Sequence, residues 1–348
     1  MKNLIKYIID VNSTIIDALK KLNDLPKTLT LFVEDDKNRI IGTITDGDIR
    51  RALINGHKLE NSINDIVFTN FSYLIDNEDN FSKLKEFRKK SLKAVPLLDK
   101  SYKLLKIYNF SEIKSILPID SVIMAGGKGL RLRPLTEITP KPLLKIGKKE
   151  IISYNFDRLY QYGITNQHIT VNYLAEQIEN YCASYNKDIN FNIVFEPEML
   201  GTAGALSLIN NFKHDTILLM NSDLLTNIDY EDFYKTFLEK DADMLVASVP
   251  YEINLPYAVF EIEQGRIKSL KEKPTYMHYA NAGIYLFKKE LLNLVPKNKI
   301  YNATDFMEDV ILKNYKLIHY PIRSYWLDIG KHKDFEKAQR DVAHINWD

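Results

Sequence analysis

The sequence predicts two units: an α+β tandem module over residues 1–117, divided into 1–60 and 61–117, and an α/β unit with a mostly parallel sheet over residues 118–348. Three observations carry this. A short helix–strand–turn–strand–helix order occurs twice in the first third, with a period of roughly 60 residues, which suits paired modules better than a solenoid. From Asp120 onward strands and helices alternate at greater length, the pattern of a parallel sheet covered on both faces. The first strand of that series, "SVIMA", breaks into three glycines within four residues.

In the first unit, "STIIDALKKLND" has helical spacing after a Ser/Thr cap, and "TLTLFVED" reads as a strand. A "DDKN" turn leads to the strand "RIIGTIT", which runs into "DGDIRRALING", a helix with Asp as its candidate cap. The second copy reads "DNFSKLKEFRKKS" as helix, "AVPLLD" and "LLKIYN" as strands and "FSEIKSI" as helix. In the second unit "IISYNFDRLYQYG", "LAEQIENYCASY", "GTAGALSLINNF" and "YEDFYKTFLEK" read as helices. They alternate with the strands "QHITVN", "FNIVFE" and "TILLMN".

Composition narrows the function classes. With 47 basic and 46 acidic residues, no global field points to nucleic acid or an anionic membrane. The lone cysteine, Cys182, cannot form an internal disulfide, and the apolar patch of "MKNLIKYIIDVNST" is interrupted by Lys6 and Asp10. No stretch reaches the roughly 18 apolar residues of a membrane span, so a cytoplasmic protein is expected.

The glycine loop, Gly126, Gly127 and Gly129, lies beyond the carboxyl end of a strand, where ligands of α/β sheets sit. It has neither the Gly-x4-Gly-Lys-Ser/Thr spacing of a P-loop nor a dinucleotide fingerprint, since Leu132 stands three after Gly129. Glycines there let a backbone approach phosphates closely, while Arg131 offers a planar fork and Lys141 a point charge.

The run from Gly126 to Pro142 resembles the signature of the sugar-1-phosphate nucleotidylyltransferases, whose domain is Rossmann-like, with Leu130 in place of that family's Thr or Ser. The likeness implies a nucleotide cradle of Ala125, Gly126, Gly127, Gly129, Arg131 and Lys141. "EPEMLGTAGAL" resembles the segment closing over nucleotide and sugar, with Gly201, Thr202 and Gly204 at a helix start whose N-terminus favours anions. Asp223 and Asp328 match the two carboxylates that hold Mg2+ in the family. Glu272 and Lys273 match the motif for sugar hydroxyls and sugar phosphate, and Asn281 the hexose contact. Trp326 is expected to pack beneath the site. The implied catalytic set is Arg131, Lys141, Asp223 and Lys273.

"GTITDGDIRRAL" resembles a CBS domain, and the first unit a tandem CBS pair. In that family Thr45 and Asp48 would contact an adenine nucleotide, while the second copy carries Asn109 and Glu112 at those places. Such pairs associate face to face, which implies a homo-oligomer. The fusion resembles the glucosamine-1-phosphate guanylyltransferases of legionaminic acid biosynthesis, which implies GTP and glucosamine 1-phosphate as substrates. The alternatives are UTP or GTP with another hexose or heptose 1-phosphate, and a nucleotide-sensing CBS pair on an inert transferase fold. Arg131, Lys141, Asp223, Lys273 and Asp328 together argue against the sensor.

Overall fold

A computed structural model describes residues 4–25, 30–76, 78 and 80–347. The first two residues of "TLTLFVED" and the first of "DNFSKLKEFRKKS" lie outside the described residues. Two compact units emerge, one of residues 1–116 with 161–163 and one of residues 117–160 with 164–348.

In the first unit, β1 (Ile8–Asp10), α1 (Ile15–Asn23), β2 (Thr30–Glu34), β3 (Ile40–Thr45) and α2 (Asp46–Ile54) follow in order. β1 runs parallel and β3 antiparallel to the central β2. Ile15, Ala18 and Leu22 recur along α1 at spacings of three and four and bury against Leu31, Val33 and Ile44. The second copy repeats the arrangement with β4 (Leu74–Ile75), α3 (Asn80–Lys89), β5 (Ala94–Leu98) and β6 (Leu104–Asn109). β5 again runs parallel to the first strand and antiparallel to the third.

Two expectations are corrected here. The cap of α2 is Thr45 rather than an aspartate: its hydroxyl accepts from the Asp48 amide while the Asp48 carboxylate accepts from the Thr45 amide, a reciprocal capping box. "FSEIKSI" forms a single turn, not a helix. The Asn109 side chain accepts from the Ser111 amide at 3.0 Å, which curls the chain locally.

The second unit is mixed α/β around a seven-stranded sheet. Its elements are β7 (Ile119–Met124), a small hairpin of β8 (Lys145–Ile146) and β9 (Lys149–Glu150), α4 (Ile151–Gln161), β10 (Asn166–Val171), α5 (Ala175–Ala183) and β11 (Asn190–Phe195). β12 (Thr216–Asn221), β13 (Leu224–Thr226), α6 (Tyr230–Glu239) and β14 (Met244–Asn254) follow. A second hairpin, β15 (Val259–Glu263) with β16 (Arg266–Lys271), precedes β17 (Thr275–Lys288). α7 (Ala303–Leu312), β18 (Leu317–Pro321), β19 (Trp326–Asp328) and α8 (His332–Asp341) close the chain. The sheet order is β11-β10-β7-β12-β17-β14-β18, and only β17 runs against its neighbours. Central strands are apolar on both faces, as a sheet covered on both sides requires: Val122, Ile123, Ile217 and Leu218 are fully buried.

"GTAGALSLINNF" is the third correction. Only Gly204–Leu208 coils, as a 3-10 segment. The amides of Ala203 and Gly204 both donate to the Tyr301 carbonyl, each at 2.9 Å, so they are spent on a neighbouring segment and cannot start an α-helix or greet an anion.

At the amino end of β7, away from the glycine loop, Asp120 is completely buried. It accepts from Asn166 Nδ2 at 2.8 Å, His214 Nδ1 at 2.9 Å and the amides of Lys213 and His214 at 2.5 and 3.0 Å. Burial alone would raise its pKa, but the bonds from His214 and Asn166 hold it below the usual carboxylate value. Its stabilisation is therefore present above the unfolded carboxylate range and lost as pH falls below it. Asp120→Asn should cost about 2–4 kcal/mol at pH 7, read from urea unfolding, because it removes the charge the surrounding donors are built around.

Candidate active site

The carboxyl ends of β7 and β12, with β19 beside them, surround a cavity of about 570 Å3. The loop after β7 forms one wall, contributing Ala125, Gly126, Gly127, Gly129, Leu130 and Arg131. Gly129 has φ +60°, and a Cβ there would sit 3.0 Å from Thr136 and 3.1 Å from Lys141, so conformation and space both demand glycine. A Cβ on Gly126 would meet Glu196 Oε1 at 2.9 Å. The Ala125 amide donates to Thr170 O, whereas among the described residues the amides of Gly126, Gly127 and Gly129 have no partner and are free to bind phosphate oxygens. Leu130 is 59% exposed at the rim, with no hydroxyl to offer.

Lys141 is buried and forms an ion pair with Asp223. Arg131 lies beside Gly330, where a Cβ would meet its guanidinium at 3.3 Å. Asp223 follows β12 and Asp328 ends β19; the β13–β19 pairing and the Ile329 amide donating to Asp223 O hold the two segments together. Asp223 Oδ1 and Asp328 Oδ1 are both buried without a hydrogen-bond partner. Burial and then the charge of Asp223 push Asp328 up to about 6. Two crowded carboxylates with orphaned oxygens beside this cavity are a donor set that fits an oxygen-ligated divalent cation such as Mg2+. Among the described residues no group of three or more His, Cys, Asp or Glu side chains forms a complete cage, so any such ion would depend on substrate oxygens.

Gly201 and Thr202 also line the cavity. The Thr202 hydroxyl is committed to the Ala303 amide at 2.8 Å, which leaves its backbone as the binding surface. The remaining expected residues are not gathered there. Gly204, expected from the resemblance at the sugar, is buried, its amide donating to Tyr301 O and its carbonyl accepting from Ser207. Glu272 and Lys273 stand exposed at the foot of the β15–β16 hairpin. Asn281 is exposed, donates to Tyr285 Oη at 2.8 Å and accepts from the Gly283 amide at 2.9 Å. The Trp326 indole N–H donates to Ala282 O at 2.9 Å, and its ring lines a second hollow with Tyr251, Tyr279 and Arg323.

Glu196 is the residue to which sequence reasoning gave no role. It lines the cavity, is 4% exposed, and accepts from the Leu200 amide at 3.1 Å. Burial raises its pKa, with that amide opposing. The available signal was its position just past β11, at a carboxyl end where ligand contacts concentrate. In the first unit, Thr45 and Asp48 line a cavity of about 410 Å3 with Arg51 and Lys93.

Fold and site together define an α/β protein whose glycine-loop cavity gathers two basic side chains and a pair of carboxylates. The chain belongs to the nucleotidyl transferase family, whose model matches residues 120–345, and a CBS domain matches residues 2–55. It is 28% identical over 224 residues to the Xenopus laevis mannose-1-phosphate guanyltransferase beta-B, covering 62% of each chain. It is 29% identical over 243 residues to the UTP–glucose-1-phosphate uridylyltransferase of Synechocystis sp., covering 64% of this chain and 63% of that one. The chain thus spans less than two thirds of the length of these curated relatives. The crystal structure of HddC from Yersinia pseudotuberculosis complexed with GMP-PN shares the fold at a TM-score of 0.50 and 24% identity, over 64% of this chain and 99% of that one. Among the described residues no helix is long and apolar enough to cross a membrane.

Proposed function

We propose that this chain transfers a nucleotidyl group from a nucleoside triphosphate to a sugar 1-phosphate, releasing pyrophosphate, with GTP and glucosamine 1-phosphate as the pair. The observation that carries the class is the convergence of free loop amides, Lys141, Arg131, Asp223 and Asp328 on one cavity. The attacking oxygen of the sugar phosphate is already anionic, so no protein nucleophile is needed. Its bond to the α-phosphorus forms as the bond to the β-phosphate bridge breaks, and that electron pair leaves with pyrophosphate. The chain's task is to bring anions together and stabilise moving charge. Amides of Gly126, Gly127 and Gly129 bind phosphate oxygens, and Lys141 and Arg131 neutralise the triphosphate. Mg2+ held by Asp223 and Asp328 would supply further charge neutralisation at the reacting phosphate. The family resemblance assigns Lys273 and Glu272 to the sugar phosphate and hydroxyls and Asn281 to the hexose, roles that require these residues, which stand outside the cavity lining, to close on it when substrate binds.

Glu196 supports guanine. A buried carboxylate in a phosphate-binding cavity calls for donors, and the Watson–Crick edge of guanine presents two adjacent N–H groups, where uracil and thymine present one. Glu196→Gln should lower kcat/KM for GTP by about 10- to 100-fold and change UTP little, measured by pyrophosphate release. The CBS domain joined to a transferase supports glucosamine 1-phosphate. The uridylyltransferase relative favours a second reading, UTP with glucose 1-phosphate. We assign an adenine nucleotide to the Thr45–Asp48 cavity and a cytoplasmic, homo-oligomeric state to the chain. The deciding experiment is pyrophosphate release with Mg2+ over a grid of five nucleotides and the glucosamine, glucose, mannose and N-acetylglucosamine 1-phosphates. One strong cell at GTP and glucosamine 1-phosphate is expected. A strong cell elsewhere moves the pair, and a blank grid with AMP or ATP added leaves a sugar phosphate outside the grid, such as a heptose 1-phosphate, or the sensor.

A further inference from the structure

Helix α4 buries a stripe of Ile152, Asn155, Phe156 and Leu159, whose spacing of three, four and seven marks a core-facing side. Three of the four are apolar, and Asn155 is the exception. Burying an amide in such a stripe costs free energy unless it is hydrogen-bonded, so its partner is the reason for its presence. That partner lies at the site. Asn155 Nδ2 donates to the carbonyl of Ser222 at 3.2 Å, across a separation of 67 residues, and Ser222 directly precedes Asp223.

The neighbouring bonds show what this contact adds. The Ser222 amide donates to Met124 O at 3.3 Å, at the end of β7, and the Asp223 carbonyl accepts from the Ile329 amide at 3.1 Å, beside Asp328. Asn155 grips the peptide between these two points from a third direction. The Ser222 carbonyl and the Asp223 amide share one rigid peptide plane, so holding the carbonyl constrains the direction in which the Asp223 side chain leaves the chain. Further along α4, Arg158 braces the other end of β13, donating to Asn227 O at 2.8 Å and Ile228 O at 2.9 Å. Asp223 needs such control. Asp328 faces the same cavity with like charge, and a strand end free to turn would let the two carboxylates swing apart. We propose that Asn155 is a positioning residue: through the Ser222 carbonyl it aims the Asp223 carboxylate at the point where it and Asp328 hold the divalent cation. The inference rests on the cation reading of those two aspartates and adds a residue that does not line the cavity.

The test reads metal affinity as well as turnover. Mn2+ bound to the full-length protein, with the α,β-methylene analogues of GTP and UTP in turn, is followed by water-proton relaxation. Asn155→Leu keeps the side chain's size and removes the donor. Its apparent Mn2+ dissociation constant should be about tenfold above the parent's, the scale for losing a group that orients a metal ligand. Asn155→Ala, which cannot clash, should shift it the same way and serves if leucine does not fit. Asp120→Asn, expected to lose stability at the opposite end of β7, should bind Mn2+ like the parent, which separates aim from general loosening. Pyrophosphate release by Asn155→Leu should fall about tenfold at limiting Mg2+ and recover at saturating Mg2+, since both carboxylates remain. Unchanged Mn2+ affinity in both Asn155 variants, or an equal shift in Asp120→Asn, would overturn the proposal and leave the cation reading standing. A parent that takes up no Mn2+ with either analogue would overturn the cation reading, and this inference with it.

Discussion

Asp223→Asn is expected to lower the rate of pyrophosphate release at least about a hundredfold, the scale of losing one electrostatic group at a site where charge moves. The substitution keeps size and shape, so the strand end after β12 and the pairing of β13 with β19 survive. It removes the anion that faces Lys141 and half of the two-carboxylate pair. The loss should appear in kcat and persist at every Mg2+ concentration, because an amide oxygen is a poor substitute for a carboxylate around a hard cation. A variant that regains the parent rate in saturating Mg2+ would sink the assignment of Asp223.

Asp328→Asn should separate activity from stability. Turnover falls by a similar factor, yet the metal-free protein becomes more stable near neutral pH. Its carboxyl is raised to about 6 in the fold by burial and by the charge of Asp223. Below the unfolded value near 4 the group is protonated in both states and costs nothing. As pH rises from about 4 to about 6, the unfolded chain ionises it first, and folded stability declines. With a discount for partial solvent access, that decline is on the order of 1–2 kcal/mol. Asparagine removes it, so the variant's melting temperature should exceed the parent's by a few degrees at pH 7, and the two should converge near pH 3. Thermal scans in a chelator at both pH values check this. A variant that melts below the parent at pH 7 would mean that Asp328 is held as a favourable anion.

The parts of this site visible in the sequence are those whose chemistry is local. A buried strand that breaks into Gly126, Gly127 and Gly129 announces a backbone that something must approach, and the fold puts that loop on the cavity. Asp223 and Asp328 are each one residue in a strand-to-turn pattern, and only the motifs around them singled them out. What stayed hidden depends on partners far along the chain. "GTAGALSLINNF" has acceptable helical spacing, but its leading amides are captured by Tyr301, about a hundred residues away. Likewise β17 has the composition of any central strand, and nothing local reveals that it runs antiparallel within a parallel sheet. Glu196 was legible as a letter and not as a buried charge, because its burial comes from the loop packed around it.

The pairing of Lys141 with Asp223 has one further consequence. Without ligands, the site's cation and its anion answer each other, and each stands in for a substrate partner. A divalent ion arriving alone must displace the lysine, and a triphosphate arriving alone must draw the lysine off an uncompensated aspartate. Arriving together, they exchange one ion pair for two. On the proposed binding of both, the two ligands should therefore assist each other's binding by one and the same factor, read as a nucleotide affinity that rises with Mg2+.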